Sequence, residues 1–143
     1  MSAFHPLRTL ADRETVGAMT GYMIVFVGGG IGAALRHGVN RAAFSLLGAG
    51  FPYGTLFVNV LGGLLMGALA EFFLARAGLS EGSKLFLTTG LLGGFTTFSA
   101  FSVETALMWQ RSDFAALAGY TIGSVVLSVT AVFLGMGAVR AMA

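Results

Sequence analysis

Gly90-Leu-Leu-Gly-Gly-Phe-Thr-Thr-Phe-Ser-Ala-Phe-Ser-Val-Glu104 lies inside a strongly apolar stretch, yet it carries three Gly, two Thr and two Ser and ends in a carboxylate. At membrane depth such a segment makes a poor continuous helix. Irregular backbone survives in a bilayer only where protein buries it or where it lines a cavity. Broken helices at the midplane build ion sites from freed carbonyls and half-helix ends. The expectation is a membrane helix broken at its centre, next to a polar site.

The rest of the chain has the composition of a protein in lipid. Its 143 residues suffice for one domain. Hydrophobic residues make up 56% and charged residues 10%, with mean hydropathy +0.86, whereas a soluble domain is roughly a quarter charged. Eight basic and six acidic residues leave a net charge of +2, too little for a nucleic-acid surface. With no cysteine there is neither a disulfide frame nor a thiolate metal site. His5 and His37 alone cannot make a histidine-rich metal site. Residues 1–20 mix Arg8, Asp12, Arg13 and Glu14 among apolar residues. They lack the continuous apolar core of a signal peptide, so they read as a cytosolic or interfacial N-terminal tail ahead of a membrane domain over 21–143.

A spanning helix needs about 20 mostly apolar residues. Four stretches qualify: about Tyr22 to Leu35, extending towards Phe44; Tyr53 to Leu74, opened by Pro52; Leu85 to Trp109, which holds the interruption; and Phe114 to Val139. The fold class is therefore all-α, with four transmembrane helices and the third broken. With four spans, Arg8, Arg13, Arg76, Lys84 and Arg140 face one side and Arg36, Arg41 and Arg111 the other. Five against three sets no firm orientation. Either the signal is simply poor, or the chain inserts both ways and pairs antiparallel with itself. The 22 glycines favour close helix approach, which drives association in lipid. Gly63 and Gly67, Gly119 and Gly123, and the run Gly28-Gly-Gly-Ile-Gly32 all read as packing surfaces.

Several polar residues stand out at membrane depth. Asn59 shares a helix face with Gly63 and Gly67 and so points at a packed interface, either as an interhelical hydrogen bond or as an N–H donor to an anion. Phe98 and Phe101 lie three apart; they are core packing or a pair of electropositive ring edges. Glu104 is an intramembrane carboxylate, costly and functional by default, or a tie between helix ends. Glu71, near a span end with Arg76 five residues on, reads as a solvated group. Tyr120, Ser124 and Ser128 form a polar stripe at i, i+4 and i+8. Their hydroxyls either bond back to the i−4 carbonyl or line a wet track. Arg36, ending the first span, is a snorkelling anchor or a charge that collects anions.

Gly28-Gly-Gly-Ile-Gly32 lacks the spacing and context of a dinucleotide site, no phosphate loop is present, and no Ser-His-acid set can be assembled. Nothing points to an enzyme. Three blocks carry a resemblance instead: Gly28-Gly-Gly-Ile-Gly-Ala-Ala-Leu-Arg36, Gly54-Thr-Leu-Phe-Val-Asn59 with Gly62 following, and Thr89 through Glu104. From about Tyr22 to Ala143 the chain resembles the Fluc (CrcB) family of fluoride channels, the third block being the most specific. The resemblance implies a passive fluoride channel of the bacterial inner membrane. It further implies an antiparallel, dual-topology homodimer with two pores, each lined by both subunits. Asn59 would donate to fluoride, Phe98 and Phe101 would be the pore phenylalanines, and Tyr120, Ser124 and Ser128 would form the polar track with Ser99 beside it. Glu104 matches the family's third-helix acid and Arg36 a vestibule charge. Gly93 and Thr96 would offer backbone carbonyls to a structural sodium ion (Na+) at the dimer axis. Ala100 stands where family members commonly have Thr, and His37 where a Tyr is common.

Two other classes compete. A small proton-coupled multidrug exporter of dual topology depends on an acid in its first span, and Tyr22 to Leu35 holds none. A non-transporting membrane assembly subunit would have little use for the intramembrane polar row.

Overall fold

The structure, a computed structural model, describes the backbone of residues 5–75 and 80–142 and the side chains of 17–75 and 80–142. The charges counted at Arg8, Arg13 and Arg76 lie outside the described side chains. Every regular element among the described residues is helical: α1 (His5–Leu47), α2 (Tyr53–Ala75), α3 (Glu81–Leu85), a π-helical stretch (Phe86–Leu92), α4 (Gly93–Phe95), α5 (Phe98–Gln110) and α6 (Phe114–Met142). Four segments are long and apolar enough to cross a bilayer, namely Gly17–Leu47, Tyr53–Ala75, Glu81–Gln110 and Phe114–Met142. The protein is a multi-pass membrane protein. α1 follows the extension towards Phe44 and ends at Leu47, so Arg36 sits within the helix instead of closing it.

Local chemistry sets the boundaries. Gly48 takes the left-handed conformation (φ 80°) that closes a helix, and its N–H donates to Phe44 O at 2.9 Å. Pro52 cannot donate an N–H, so α2 starts at Tyr53, while Leu56 N–H donates to Pro52 O at 3.1 Å. Ser80 caps α3 by accepting from Ser83 N–H at 3.2 Å, and Asp113 caps α6 by accepting from Ala116 N–H at 3.2 Å.

Glycine lets the helices meet backbone to backbone. A Cβ on Gly28 would lie 2.9 Å from Phe86 O and 3.0 Å from Gly90 Cα. One on Gly32 would overlap the Leu91 carbonyl, so α1 lies flush against the first half of the third span. α2 and α6 form the most extensive helix pair; a Cβ on Gly63 would sit 2.8 Å from Ser128 O, and one on Gly67 or Gly135 would overlap the facing backbone carbonyl. Gly119 and Gly123 behave differently from the expectation: an added Cβ would meet nothing within 4 Å. Within the subunit they pack against none of the described residues. Glu71 also departs from expectation. It is not a solvated group but faces α6, 14% exposed, where Arg140 Nη2 pairs with its Oε2 at 2.9 Å.

Candidate functional site

Between α4 and α5 two residues leave the helix. Thr96 (φ −80°, ψ 161°) and Thr97 (φ −155°, ψ 124°) are extended. In a continuous helix the Thr97 N–H would donate to the Gly93 carbonyl four residues back. Here it donates to Asn59 Oδ1 at 2.8 Å, and Asn59 Nδ2 donates to Thr97 O at 2.9 Å. The carboxamide thus satisfies both backbone groups of Thr97, which would otherwise be costly orphans in an apolar setting. Thr97 Oγ1 caps α5 by accepting from Ala100 N–H at 3.2 Å. Thr96 stays tied to the first half-span, its N–H and Oγ1 donating to Leu92 O at 3.0 and 2.9 Å. The Gly93 carbonyl is freed of its ordinary donor. Arg36 Nη1 reaches the Thr96 carbonyl only at 3.4 Å, a long and weak contact.

Beside this break runs a groove of about 410 Å³ between α2, α5 and α6, lined by Asn59, Thr96, Phe98, Phe101, Ser124 and Ser128 among others. Phe98 and Phe101 stand with ring centroids 5.4 Å apart and planes tilted by 43°. Phe101 is buried and Phe98 is 77% exposed on the open side. The hydroxyls of Ser124 and Ser128 are buried without a well-formed hydrogen bond. They do not bond back to their own helix, in contrast to Ser102 and Thr105, whose hydroxyls donate to Phe98 O at 2.9 Å and Phe101 O at 2.8 Å. Ser124 lies beside the Tyr120 hydroxyl and Ser128 has no partner among the described residues, so hydroxyls facing the groove are suited to a ligand that accepts hydrogen bonds.

Glu104 lies behind Phe101, off the groove. Its Oε1 accepts from Thr55 Oγ1 at 2.7 Å and its Oε2 from Tyr120 Oη at 2.5 Å. The carboxylate joins α2, α5 and α6 at one point. Tyr120, 1% exposed, packs against Phe101 with ring centroids 5.3 Å apart and planes tilted by 45°, and meets Phe51 edge-on at 5.4 Å. Since Tyr120 precedes Ser124 by one helical turn, hydroxyls run from the Glu104 cluster into the groove.

The structure therefore brings Asn59, Phe98, Phe101, Ser124 and Ser128 to one groove, with Thr96 at its edge. Glu104 and Tyr120 adjoin it, and Arg36 and Gly93 flank the break. Ser99 stands apart: it is exposed, 3.2 Å from Thr97 Oγ1, and does not line the groove. Thr55 and Thr97 carry as much of the geometry as the residues singled out from sequence. Thr55 was findable, lying one turn before Asn59 on the same helix face.

A family model described as CrcB-like protein, Camphor Resistance (CrcB) matches residues 23–136. The chain belongs to the CrcB family. Among its relatives, a protein of Granulibacter bethesdensis named "Fluoride-specific ion channel FluC" is 52% identical over 122 residues, 85% of this chain and 96% of that one. A Novosphingobium aromaticivorans protein of the same name is 52% identical over 127 residues, 87% of this chain and 100% of that one. A Rhodopseudomonas palustris relative, likewise so named, is 47% identical over 120 residues, covering 84% and 97%. The CrcB match spans the groove, the break and the Glu104 cluster together.

Proposed function

We propose that this CrcB-family protein is a fluoride-selective passive channel that lets cytosolic fluoride leave the cell across the inner membrane. The observation that carries this is the groove, where an amide, two aromatic rings and two hydroxyls not bonded to their own helix backbone converge at membrane depth, in a chain about half identical to proteins named fluoride-specific channels. Fluoride is small and tightly hydrated, so each step must replace lost water with donors. Asn59 uses one amide hydrogen on Thr97 and has a second for the ion. Ser124 and Ser128 add hydroxyl donors, and the rings of Phe98 and Phe101 add electropositive edges. Chloride is larger and gains less from such a narrow track. The Thr55–Glu104–Tyr120 cluster holds the three helices around this path. No covalent or redox step is required.

The open groove and the exposed Phe98 support a working unit of two copies. In this reading the subunits run antiparallel with dual topology and complete two pores between them, and the third span is broken at its centre to serve both. Gly93 and Thr96 would then hold a structural sodium ion through their carbonyls at the dimer axis. The chemistry fits, since neutral hard oxygens suit such a cation, the Gly93 carbonyl has lost its helical donor, and the Arg36 contact to Thr96 is long. The ion would supply positive charge that ties the two breaks together. Ser99 and Arg36 belong to the flanks of the path, Arg36 as a vestibule charge. An exporter driven by a first-span acid is disfavoured, because Gly17 to Leu47 contains no Asp or Glu. Fluoride-electrode efflux from proteoliposomes with a potassium shunt, with chloride as control, tests the function. Rapid fluoride release without chloride release is expected; absent or unselective release refutes it.

A further inference from the structure

Aromatic rings run in an unbroken column from the α1–α2 connection to the groove. Tyr53 and Phe51 have ring centroids 4.8 Å apart, Phe51 and Tyr120 5.4 Å, Tyr120 and Phe101 5.3 Å, and Phe101 and Phe98 5.4 Å. Tyr120, Phe101 and Phe98 belong to the site already described. Phe51 does not line the groove, and nothing in its local sequence marks it. It stands between Gly48, whose left-handed backbone closes α1, and Pro52, whose ring fixes its own φ. The Phe51 carbonyl accepts from Tyr53 N–H at 2.9 Å, so this end of the column is held by a short, stiff connection. The Phe51 ring packs against the buried cluster of Phe101, Met108 and Tyr120. Tyr120 therefore lies between two rings, Phe51 edge-on at 86° and Phe101 tilted by 45°.

We propose that Phe51 is a positioning residue for the groove phenylalanines, acting through the ring of Tyr120. The inference rests on the channel reading and adds to it a residue outside the groove. Tyr120 is anchored at both ends, by its backbone on α6 and by its hydroxyl, which donates to Glu104 Oε2 at 2.5 Å. Those anchors leave the ring free to turn about the line that joins them, because the torsion between Cβ and an aromatic ring is soft. The rings of Phe51 and Phe101 on either side restrict that turn. Phe101 has the same soft torsion and no hydroxyl to tie it, so its tilt follows Tyr120 on one side and Phe98 on the other. Tilt matters for an anion, since the ring edge is electropositive and the face is not. Phe51 thus helps to set, from outside the groove, which part of the Phe101 ring meets the ion. An aliphatic side chain in its place would fill space without imposing a plane.

The full chain in liposomes, with sodium fluoride as the probe and sodium chloride beside it, decides this. Efflux per assembled protein and the fluoride-to-chloride ratio are read for wild type, Phe51→Leu, Phe51→Met and Phe51→Tyr, with assembly measured by cross-linking. Phe51→Leu keeps an apolar side chain and removes the plane. It is expected to lower fluoride efflux per assembled protein by roughly 2- to 10-fold and to reduce the preference over chloride. Phe51→Met removes the plane with a side chain that adapts to irregular gaps, and serves where Phe51→Leu does not fold. Phe51→Tyr keeps the ring, and the cavity of about 290 Å³ that Phe51 borders has room for the added hydroxyl. It is expected to stay within about twofold of wild type. A lower melting point with wild-type efflux and selectivity in assembled Phe51→Leu and Phe51→Met protein makes Phe51 a seal on the connection and overturns the positioning role. Phe51→Tyr as impaired as Phe51→Leu also overturns it, because the plane is kept and the function is not. Wild type that passes no fluoride overturns the channel reading, and the role of Phe51 falls with it.

Discussion

Asn59→Asp separates the two duties the structure gives one side chain. The carboxamide accepts from Thr97 N–H at 2.8 Å and donates to Thr97 O at 2.9 Å. Asp keeps the first bond and loses the second, setting an oxygen against the Thr97 carbonyl. Losing that bond and stranding the carbonyl costs on the order of 1–3 kcal/mol of stability. The variant also loses the remaining amide hydrogen, which is the proposed fluoride donor. Losing a donor worth roughly 1–3 kcal/mol slows passage by roughly 5- to 150-fold, before any repulsion from an added negative charge. The two effects separate when assembly is measured by cross-linking and fluoride-electrode efflux is divided by the amount of assembled protein. Less assembled protein is expected, with each assembled unit also strongly impaired. Asn59→Ala, which removes both bonds to Thr97, is expected to assemble less well than Asn59→Asp. Assembled Asn59→Asp protein conducting fluoride at the wild-type rate would refute the donor role and leave Asn59 as a clamp on the break.

Four further outcomes follow from the packing and from the proposed assembly. Gly32→Ala drives a Cβ into the Leu91 carbonyl and to 2.8 Å from Phe95 N; a loss of roughly 1–3 kcal/mol is expected, read as a lower midpoint in detergent melting, and an unchanged midpoint would contradict the close approach. Gly119→Ala has nothing within 4 Å, so subunit melting should not change, and a changed melting curve for isolated subunits would show contacts absent from this fold. Thorough removal of sodium should weaken the dimer held by the Gly93 and Thr96 carbonyls, and full cross-linking yield without sodium would remove that ion from the proposal. If the chain inserts both ways, a one-sided reporter at the C-terminus should find it on both faces of the membrane; a single location would end the dual-topology proposal.

Hydropathy exposed the four spans, because a bilayer demands long apolar helices and the chain has little else. Their ends were less legible. Arg36 looked like a terminus because a charge in an apolar run usually marks an interface, yet α1 carries it onward to Leu47 with the guanidinium turned towards the Thr96 carbonyl. Glu71 looked solvated because its partner, Arg140, is 69 residues away, and no local spacing announces such a pair. The tie from Asn59 to Thr97 spans 38 residues and was equally hidden, although the glycine face around Asn59 pointed to an interface. Gly63 and Gly119 share the same spacing motif, but only Gly63 packs; a small residue permits close approach and says nothing about whether a neighbour is there.

A neighbour decides what those open surfaces do, and the single subunit bears on it directly. Ser102 and Thr105 satisfy their hydroxyls on their own helix, while Ser124 and Ser128, on a helix equally able to accept them, do not. Leaving buried hydroxyls without partners costs on the order of 1–3 kcal/mol each, so a folded protein retains them where something else supplies the acceptor. Phe98 lies 77% exposed beside those same hydroxyls. In an isolated subunit that ring would meet lipid, as other apolar side chains of the spans do; it would help to wall the groove once a second copy covered it. The hydroxyls of Ser124 and Ser128 and the uncovered ring of Phe98 occur on one groove, which ties the proposed ion path and the proposed pairing to the same surface. A substitution at Ser128 that lowers flux should therefore leave assembly intact, whereas one at Phe98 should disturb both.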